Sequence, residues 1–135
     1  MNVNLKRLLM IFAAGLLCLG LLSAPALAGK KKKTTVVLNS GPVLNGKQNV
    51  QVTGHLNTSN ACKAGRNMKL FLTDVNGVVI ATLDGGTSDL NGNWKLQGKL
   101  SAAPTANDRL QVKATKRTVN KTVCKAGFSS LIVIS

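Results

Sequence analysis

From Val50 onward the chain alternates apolar and polar residues with a period of two. Val50, Val52 and Leu56 point one way, and Gln51, Thr53 and His55 the other. Met68, Leu70 and Leu72 repeat the pattern against Lys69, Phe71 and Thr73, as do Trp94, Leu96 and Leu100 against Lys95, Gln97 and Lys99. Leu110, Val112 and Ala114 alternate in turn with Gln111, Lys113 and Thr115. Successive side chains leave opposite faces of a pleated strand, so each of these runs predicts a strand laid on a core.

The remaining strands are read from β-branched runs and turn residues. Thr34–Leu38 is an opening strand, ended by Asn39-Ser40-Gly41-Pro42. Val78–Leu83 is the hairpin partner of Met68–Leu72 and is expected to stop at Gly85-Gly86. The stretch from Ala102 to Asn107 is a loop, and Thr122–Lys125 and Leu131–Ile134 close the domain. Three Asn-Gly pairs, at 45–46, 76–77 and 91–92, mark tight turns of the type I′ kind. No segment after residue 28 carries a helical stripe. About seven or eight short strands at regular spacing predict an all-β, single immunoglobulin-like β-sandwich.

The N-terminus is of another composition. Lys6 and Arg7 precede an uncharged apolar run from Leu8 to Ala24, and Ala26-Leu27-Ala28 offers small residues to a signal peptidase. Residues 1–28 therefore read as a signal peptide cleaved after Ala28, 29–33 as a polylysine N-terminal arm, and 34–135 as the sandwich domain. Lys30–Lys33 directly after the cleavage site, together with a 22-residue apolar stretch from Leu8 to Gly29, leave an uncleaved anchor as the alternative. Pro25 and the Ala-Leu-Ala step favour cleavage, which places the protein outside the cytoplasm: secreted, periplasmic or on the cell surface. Cys18 leaves with the signal, so Cys62 and Cys124 remain as one disulfide across a long loop. Neither belongs to a Cys-x-x-Cys, which argues against redox catalysis and zinc. The four-residue echo of Cys62-Lys63-Ala64-Gly65 in Cys124-Lys125-Ala126-Gly127 reads as two similar strand–turn junctions tied by that bridge.

Charge sharpens the functional reading. Beyond residue 28 the chain keeps 16 of its 18 Lys/Arg and all four Asp, a net of +12, and the whole sequence has no Glu. Such a field draws polyanions, and outside a cell these are anionic lipids, acidic polysaccharides or nucleic acid. Candidate contacts are Lys30, Lys31, Lys32 and Lys33, with Lys69, Lys95, Lys99 and Lys113 opposite the apolar positions of their strands. Arg66, Arg109, Lys116, Arg117 and Lys121 extend a basic face if they converge. Lysines on outer sheet faces also serve solubility and discourage edge pairing.

Catalysis has little to work with. His55 is the only histidine and falls on the polar side of a strand, with no Glu and no second His to partner it. The turns Asp74-Val75-Asn76-Gly77 and Asp89-Leu90-Asn91-Gly92-Asn93 begin like a calcium loop but lack its length and its closing Glu. They read as hairpin turns, and no metal or other cofactor is expected. The aromatics after residue 28 are Phe71, Trp94 and Phe128. Trp94 shares the parity of Leu96 and belongs to the core; Phe71 shares a face with Lys69 and is the better candidate for an exposed contact, although covering a strand edge is the role expected of it. So few stacking platforms argue against nucleic acid as the partner.

Ala61-Cys62-Lys63-Ala64-Gly65-Arg66, the alternating Met68–Leu72, Asp89–Trp94 and Val123-Cys124-Lys125-Ala126 together resemble small secreted bacterial β-sandwich domains of the transthyretin-like, carboxypeptidase-regulatory-like type. The resemblance spans residues 48–130 and implies a sandwich with bridged cysteines and a buried tryptophan. It transfers no catalytic or binding residue, since such domains serve as accessory or adhesive units. Two functions are thus expected. The first is an exported, non-catalytic module on anionic envelope or extracellular polymers. The alternative is a protein-recognition module, an inhibitor or adhesion subunit, using loops or a strand edge such as Leu131–Ile134.

Overall fold

The computed structural model describes residues 29–46 and 48–134. The signal peptide expected at 1–28 lies outside the described residues. In chain order the strands are β1 (Lys30–Lys32), β2 (Thr35–Asn45), β3 (Asn49–Asn57), β4 (Asn67–Thr73), β5 (Val79–Thr87), β6 (Asn93–Lys99), β7 (Arg109–Ala114), β8 (Arg117–Val119), β9 (Thr122–Cys124), β10 (Gly127–Phe128) and β11 (Ile132–Val133). One 3₁₀ turn, Asn60–Cys62, precedes β4. The described residues are all-β apart from that turn, as the alternation predicts. Beyond the expected seven or eight strands come three short ones, β1, β8 and β10.

Two sheets enclose the core. One has the order β2-β3-β6, and the other has the order β10-β7-β4-β5 with β11 also on β7. Their facing sides supply one cluster of 14 buried residues, among them Val50, Val52, Trp94 and Leu96 from the first sheet and Met68, Leu70, Leu110 and Val112 from the second. Each fully buried Val, Leu or Met contributes about 1.5–3 kcal/mol, so this interior outweighs any single polar contact in holding the sheets together.

The sandwich is pinched shut along both sides. On one, β5 crosses β6, where Leu83 packs on Gly98 and the Asp84 carboxylate accepts the Gln97 N–H at 2.8 Å. On the other, Gly127 of β10 lies against the Thr34 carbonyl, too close for a side chain. The Gly85-Gly86 pair does not end β5 as expected. The strand continues to Thr87, pairing Gly85 with Lys69 and Gly86 with Met68. The glycines give clearance instead: a Cβ at Gly86 would sit 3.1 Å from the Leu96 side chain.

Two bulges in β5 fall opposite the Leu70/Phe71 and Leu72/Thr73 steps of β4. There the parity of β4 breaks. Thr73, expected on the polar side, is fully buried, and its hydroxyl donates to the Asp74 carbonyl at 3.0 Å.

The Asn-Gly turns also differ from expectation. Gly46, Gly77 and Gly92 take φ of 77°, 82° and 84°, but the asparagines before them do not have positive φ. In the latter two turns an aspartate organises the loop. Asp74 Oδ1 accepts the N–H groups of Asn76 and Val78, and Asp89 Oδ1 those of Asn91 and Asn93. The Gly77 and Gly92 N–H groups close each turn onto the Asp74 and Asp89 carbonyls at 3.1 and 3.0 Å. An Asx turn followed by one left-handed glycine replaces the type I′ pair.

Candidate functional site

A third sheet, in the order β1-β9-β8, covers the end of the sandwich where β4 begins and β7 ends. It is built around a hairpin that the sequence hides. Asn120 and Lys121 both take positive φ, 44° and 65°, as a type I′ turn requires, without any glycine. The hairpin pairs Arg117 with Cys124, Thr118 with Val123 and Val119 with Thr122. Lys30–Lys32 add as the outer strand on β9, and the Lys125 N–H donates to the Lys32 carbonyl at 2.9 Å. The expected polylysine arm is therefore a paired strand rather than a free tail, and Lys33 is held at its carbonyl by the Thr58 hydroxyl at 2.8 Å.

The Cys62–Cys124 disulfide forms, joining the 3₁₀ turn to β9 with the Cα atoms 5.6 Å apart. A closed bridge fits an oxidising, extracytoplasmic compartment. The two Cys-Lys-Ala-Gly copies are not alike, however. Cys62 ends the 3₁₀ turn and Gly65 is left-handed, whereas Cys124 ends a strand and Gly127 is extended in another.

Beside the bridge lies Arg66, fully buried rather than on the basic surface where the sequence placed it. Its Nε and Nη2 both donate to the Thr115 carbonyl, at 3.1 and 2.7 Å, and Nη2 also to the Lys125 carbonyl at 2.9 Å. Nη1 donates to the Thr34 hydroxyl at 3.0 Å and the Cys62 carbonyl at 3.2 Å. Among the described residues no carboxylate meets it. Burial, and then the nearby Arg117, pull its pKa below the ordinary arginine value. A guanidinium nevertheless stays charged, and five hydrogen bonds to neutral oxygens replace the water it has lost. Arg117 grips the same loop from outside, through the Ala64 and Gly65 carbonyls at 2.8 and 2.7 Å. The two arginines and the disulfide thus fasten the small sheet to the sandwich.

That sheet concentrates charge. Lys30–Lys33, Lys116, Arg117, Lys121 and Lys125 lie on it or at its strand ends, all are exposed, and no acid interrupts them. They are half of the 16 cations beyond residue 28. The other candidate lysines divide. Lys69 and Lys113 are direct neighbours on β4 and β7 and occupy the outer face of the second sheet. Lys95 and Lys99 lie on β6, on the outer face of the first sheet, paired with Thr53 and Asn49. The two pairs point away from a shared core, so Lys69 and Lys113 cannot meet one flat ligand together with Lys95 and Lys99. These four lysines share no single face, whereas eight cations lie on the sheet of β1, β8 and β9 or at its strand ends.

Trp94 is buried against Gly54, as expected. The exposed aromatic is Phe128 rather than Phe71, which is half-buried; Lys113 Nζ stands 5.3 Å from the centre of the Phe128 ring. His55 Nδ1 donates to Asn39 Oδ1 at 2.6 Å across the polar face of the first sheet. Leu131–Ile134 is not unpaired: Ile132 and Val133 pair with β7, and Ile132 and Ile134 enter the core. Among the described residues no three His, Cys, Asp or Glu side chains gather as metal ligands, and no helix is long and apolar enough to cross a membrane.

The fold and site define a disulfide-bonded β-sandwich capped at one end by a basic three-stranded sheet. No protein-family model matches the chain, and no curated protein matches it in sequence.

Proposed function

We propose that this chain is an exported, non-catalytic binding module of the transthyretin-like kind, attached to anionic envelope or extracellular polymers through its basic sheet. The observation that carries this reading is the gathering of eight exposed cations on β1, β8, β9 and their ends, without an intervening acid. Held on a fixed scaffold, such groups meet phosphate or carboxylate repeats with little ordering cost. Each lysine near an anionic lipid surface adds about 1 kcal/mol, so the three of β1 with Lys33 beside them are enough to matter. The leader composition of residues 1–28 and the disulfide agree with export.

The test is binding of the purified protein to anionic vesicles and to an acidic polysaccharide over a salt series. Affinity is expected to fall steeply with salt. Replacing Lys30–Lys33 by Ser should weaken vesicle binding by up to about a thousandfold at low salt, while Lys95→Ser with Lys99→Ser has little effect. Binding indifferent to salt, or lost equally in both variants, rejects the reading.

A further inference from the structure

One row across the outer face of the second sheet sets two lysines side by side next to an aromatic ring. Phe128 of β10 pairs with Lys113 of β7, Lys113 with Lys69 of β4, and Lys69 with Gly85 of β5. The first three side chains lie on the solvent side, because the residues before and after each of them are buried. Like charges directly opposite on neighbouring strands weaken a sheet, and here nothing offsets them. Strands β4, β7, β10 and β11 contain no acid. Asp84, the one acid of β5, turns its carboxylate to the Gln97 and Gly85 N–H groups, both at 2.8 Å. The pair is left to an anion from outside.

The aromatic ring beside the pair is held yet open. Phe128 is 53 % exposed, with Lys113 Nζ over its ring at 5.3 Å. Gly85 ends the row without a side chain, and a Cβ there would meet only the Met68 carbonyl, at 3.8 Å. With strands about 4.8 Å apart, the row is an open shelf about 14 Å long.

We infer that this shelf binds a uronic-acid unit of an extracellular polysaccharide, with the Phe128 ring against the C–H face of the sugar and Lys69 and Lys113 on its carboxylate. Charge selects an anion, and the single ring selects among anions. A uronate carries its carboxylate on the sugar ring, so one unit meets the phenyl group and the two ammonium groups together. A single-stranded nucleic acid is held by a succession of aromatic platforms, and this row has one. An anionic bilayer offers charge without a ring to stack. Position adds to the choice. Lys113 is followed by Lys116 and by Arg117 of β8, and Phe128 is preceded by Lys125 at the end of β9. A polymer lying on the basic sheet therefore runs on to the shelf without meeting an acid, and two contacts on one chain reinforce each other. Sugar recognition here rests on the polymer-binding reading, whose ligand it narrows to an acidic polysaccharide.

The test titrates the full protein with polygalacturonate, with phosphatidylglycerol vesicles and with a single-stranded oligonucleotide. Phe128→Ala should weaken polygalacturonate binding by up to about tenfold and leave vesicle binding unchanged, while Phe128→Tyr keeps both. Lys69→Gln should weaken polygalacturonate binding by up to about fivefold. The same change should raise the denaturant midpoint of the free protein, because the repulsion across the row is relieved. Lys69 is exposed, so this variant gives the reading should Phe128→Ala disturb β10. Lys30–Lys33→Ser weakens both ligands and reports the basic sheet by itself. Polygalacturonate bound equally well by the parent, Phe128→Ala and Lys69→Gln overturns the shelf while the basic sheet stands. Vesicle binding without polygalacturonate binding does the same. An equal loss on vesicles in Phe128→Ala overturns it in favour of a bilayer, and a larger loss on the oligonucleotide in favour of nucleic acid.

Discussion

Fourteen buried apolar residues lie between the two large sheets, whereas in β1, β8 and β9 only Cys124 is buried. The sandwich is held by the removal of aliphatic surface from water, spread over six long strands. The basic sheet has strands of three residues and no interior of its own. It is fixed by one covalent bond and two arginines donating to loop carbonyls. The difference explains how so many cations share so small an area. A sheet that needed its own hydrophobic core would have to give alternate positions to apolar residues, but one hung from a bridge and a buried guanidinium can give them to lysine.

Breaking the bridge is the sharpest way to separate the two regions. Closing a loop with a sequence separation of 62 stabilises a fold by about 4 kcal/mol through the lost freedom of the unfolded chain. Cys62→Ser with Cys124→Ser should therefore lower stability by about that amount in denaturant unfolding. Hydrogen exchange should show amides of β8 and β9 opening first, while those of β3, β4 and β7 stay protected. Uniform loss of protection would mean that the two regions are one cooperative unit.

Arg66→Met keeps most of the side-chain volume and removes every hydrogen bond. The Thr115, Lys125 and Cys62 carbonyls then lose their donor, and an unsatisfied buried carbonyl costs about 1–3 kcal/mol. A loss of about 3 kcal/mol is expected, read as a lower denaturant midpoint at unchanged slope. Arg66→Lys should recover little of it, because an ammonium cannot serve oxygens spread around a planar fork. Full recovery by lysine would show that charge, rather than the geometry of the fork, holds the sheet.

The opposite test strikes the sandwich alone. A Cβ on Gly54 would collide with the Val37 carbonyl and the Trp94 ring, neither of which is the free end of a flexible chain. Gly54→Ala should cost about 1–3 kcal/mol by overpacking. Salt-sensitive polymer binding should persist in the folded fraction, since no basic-sheet residue is touched. Loss of binding in step with this change would tie the two regions together.

The regions also differ in how far they can be read from residue order. Period-two alternation located Val50–Leu56, Trp94–Leu100 and Leu110–Ala114 and assigned their inward faces correctly, because burial on one face imposes that pattern directly. Where pairing, not burial, makes the element, no such mark exists. Nothing in Lys30–Lys32 signals a strand, since all three are exposed and the pairing comes from β9. The turn at Asn120-Lys121 has no glycine to announce its positive φ. Arg66 reads as surface charge until its oxygens arrive from residues 4 to 59 positions away. The preceding left-handed Gly65 was the one local hint of a tight turn that folds the guanidinium inward. The Cys62–Cys124 pairing needed only a count of two.

The smallest effect concerns the loop that abuts this fastening, where Gly92 packs on the Lys63 side chain. The Asn93 backbone N–H holds the Asp89 carboxyl below its ordinary pKa, outweighing an opposing desolvation and helped by bonds from Asn91, Gly92 and the Asn93 side chain. A carboxyl with a lower pKa in the folded than in the unfolded state stabilises the fold above its unfolded value. That stability disappears as pH falls through the folded one. The Asp89 contribution should thus be whole at neutral pH and decline below about pH 4. Asp89→Asn keeps an acceptor for the turn but removes the proton linkage. Its stability should lie slightly below that of the parent at pH 7 and meet it in acid. Parallel curves from pH 7 down to pH 2 would mean that the turn draws nothing from the carboxylate charge.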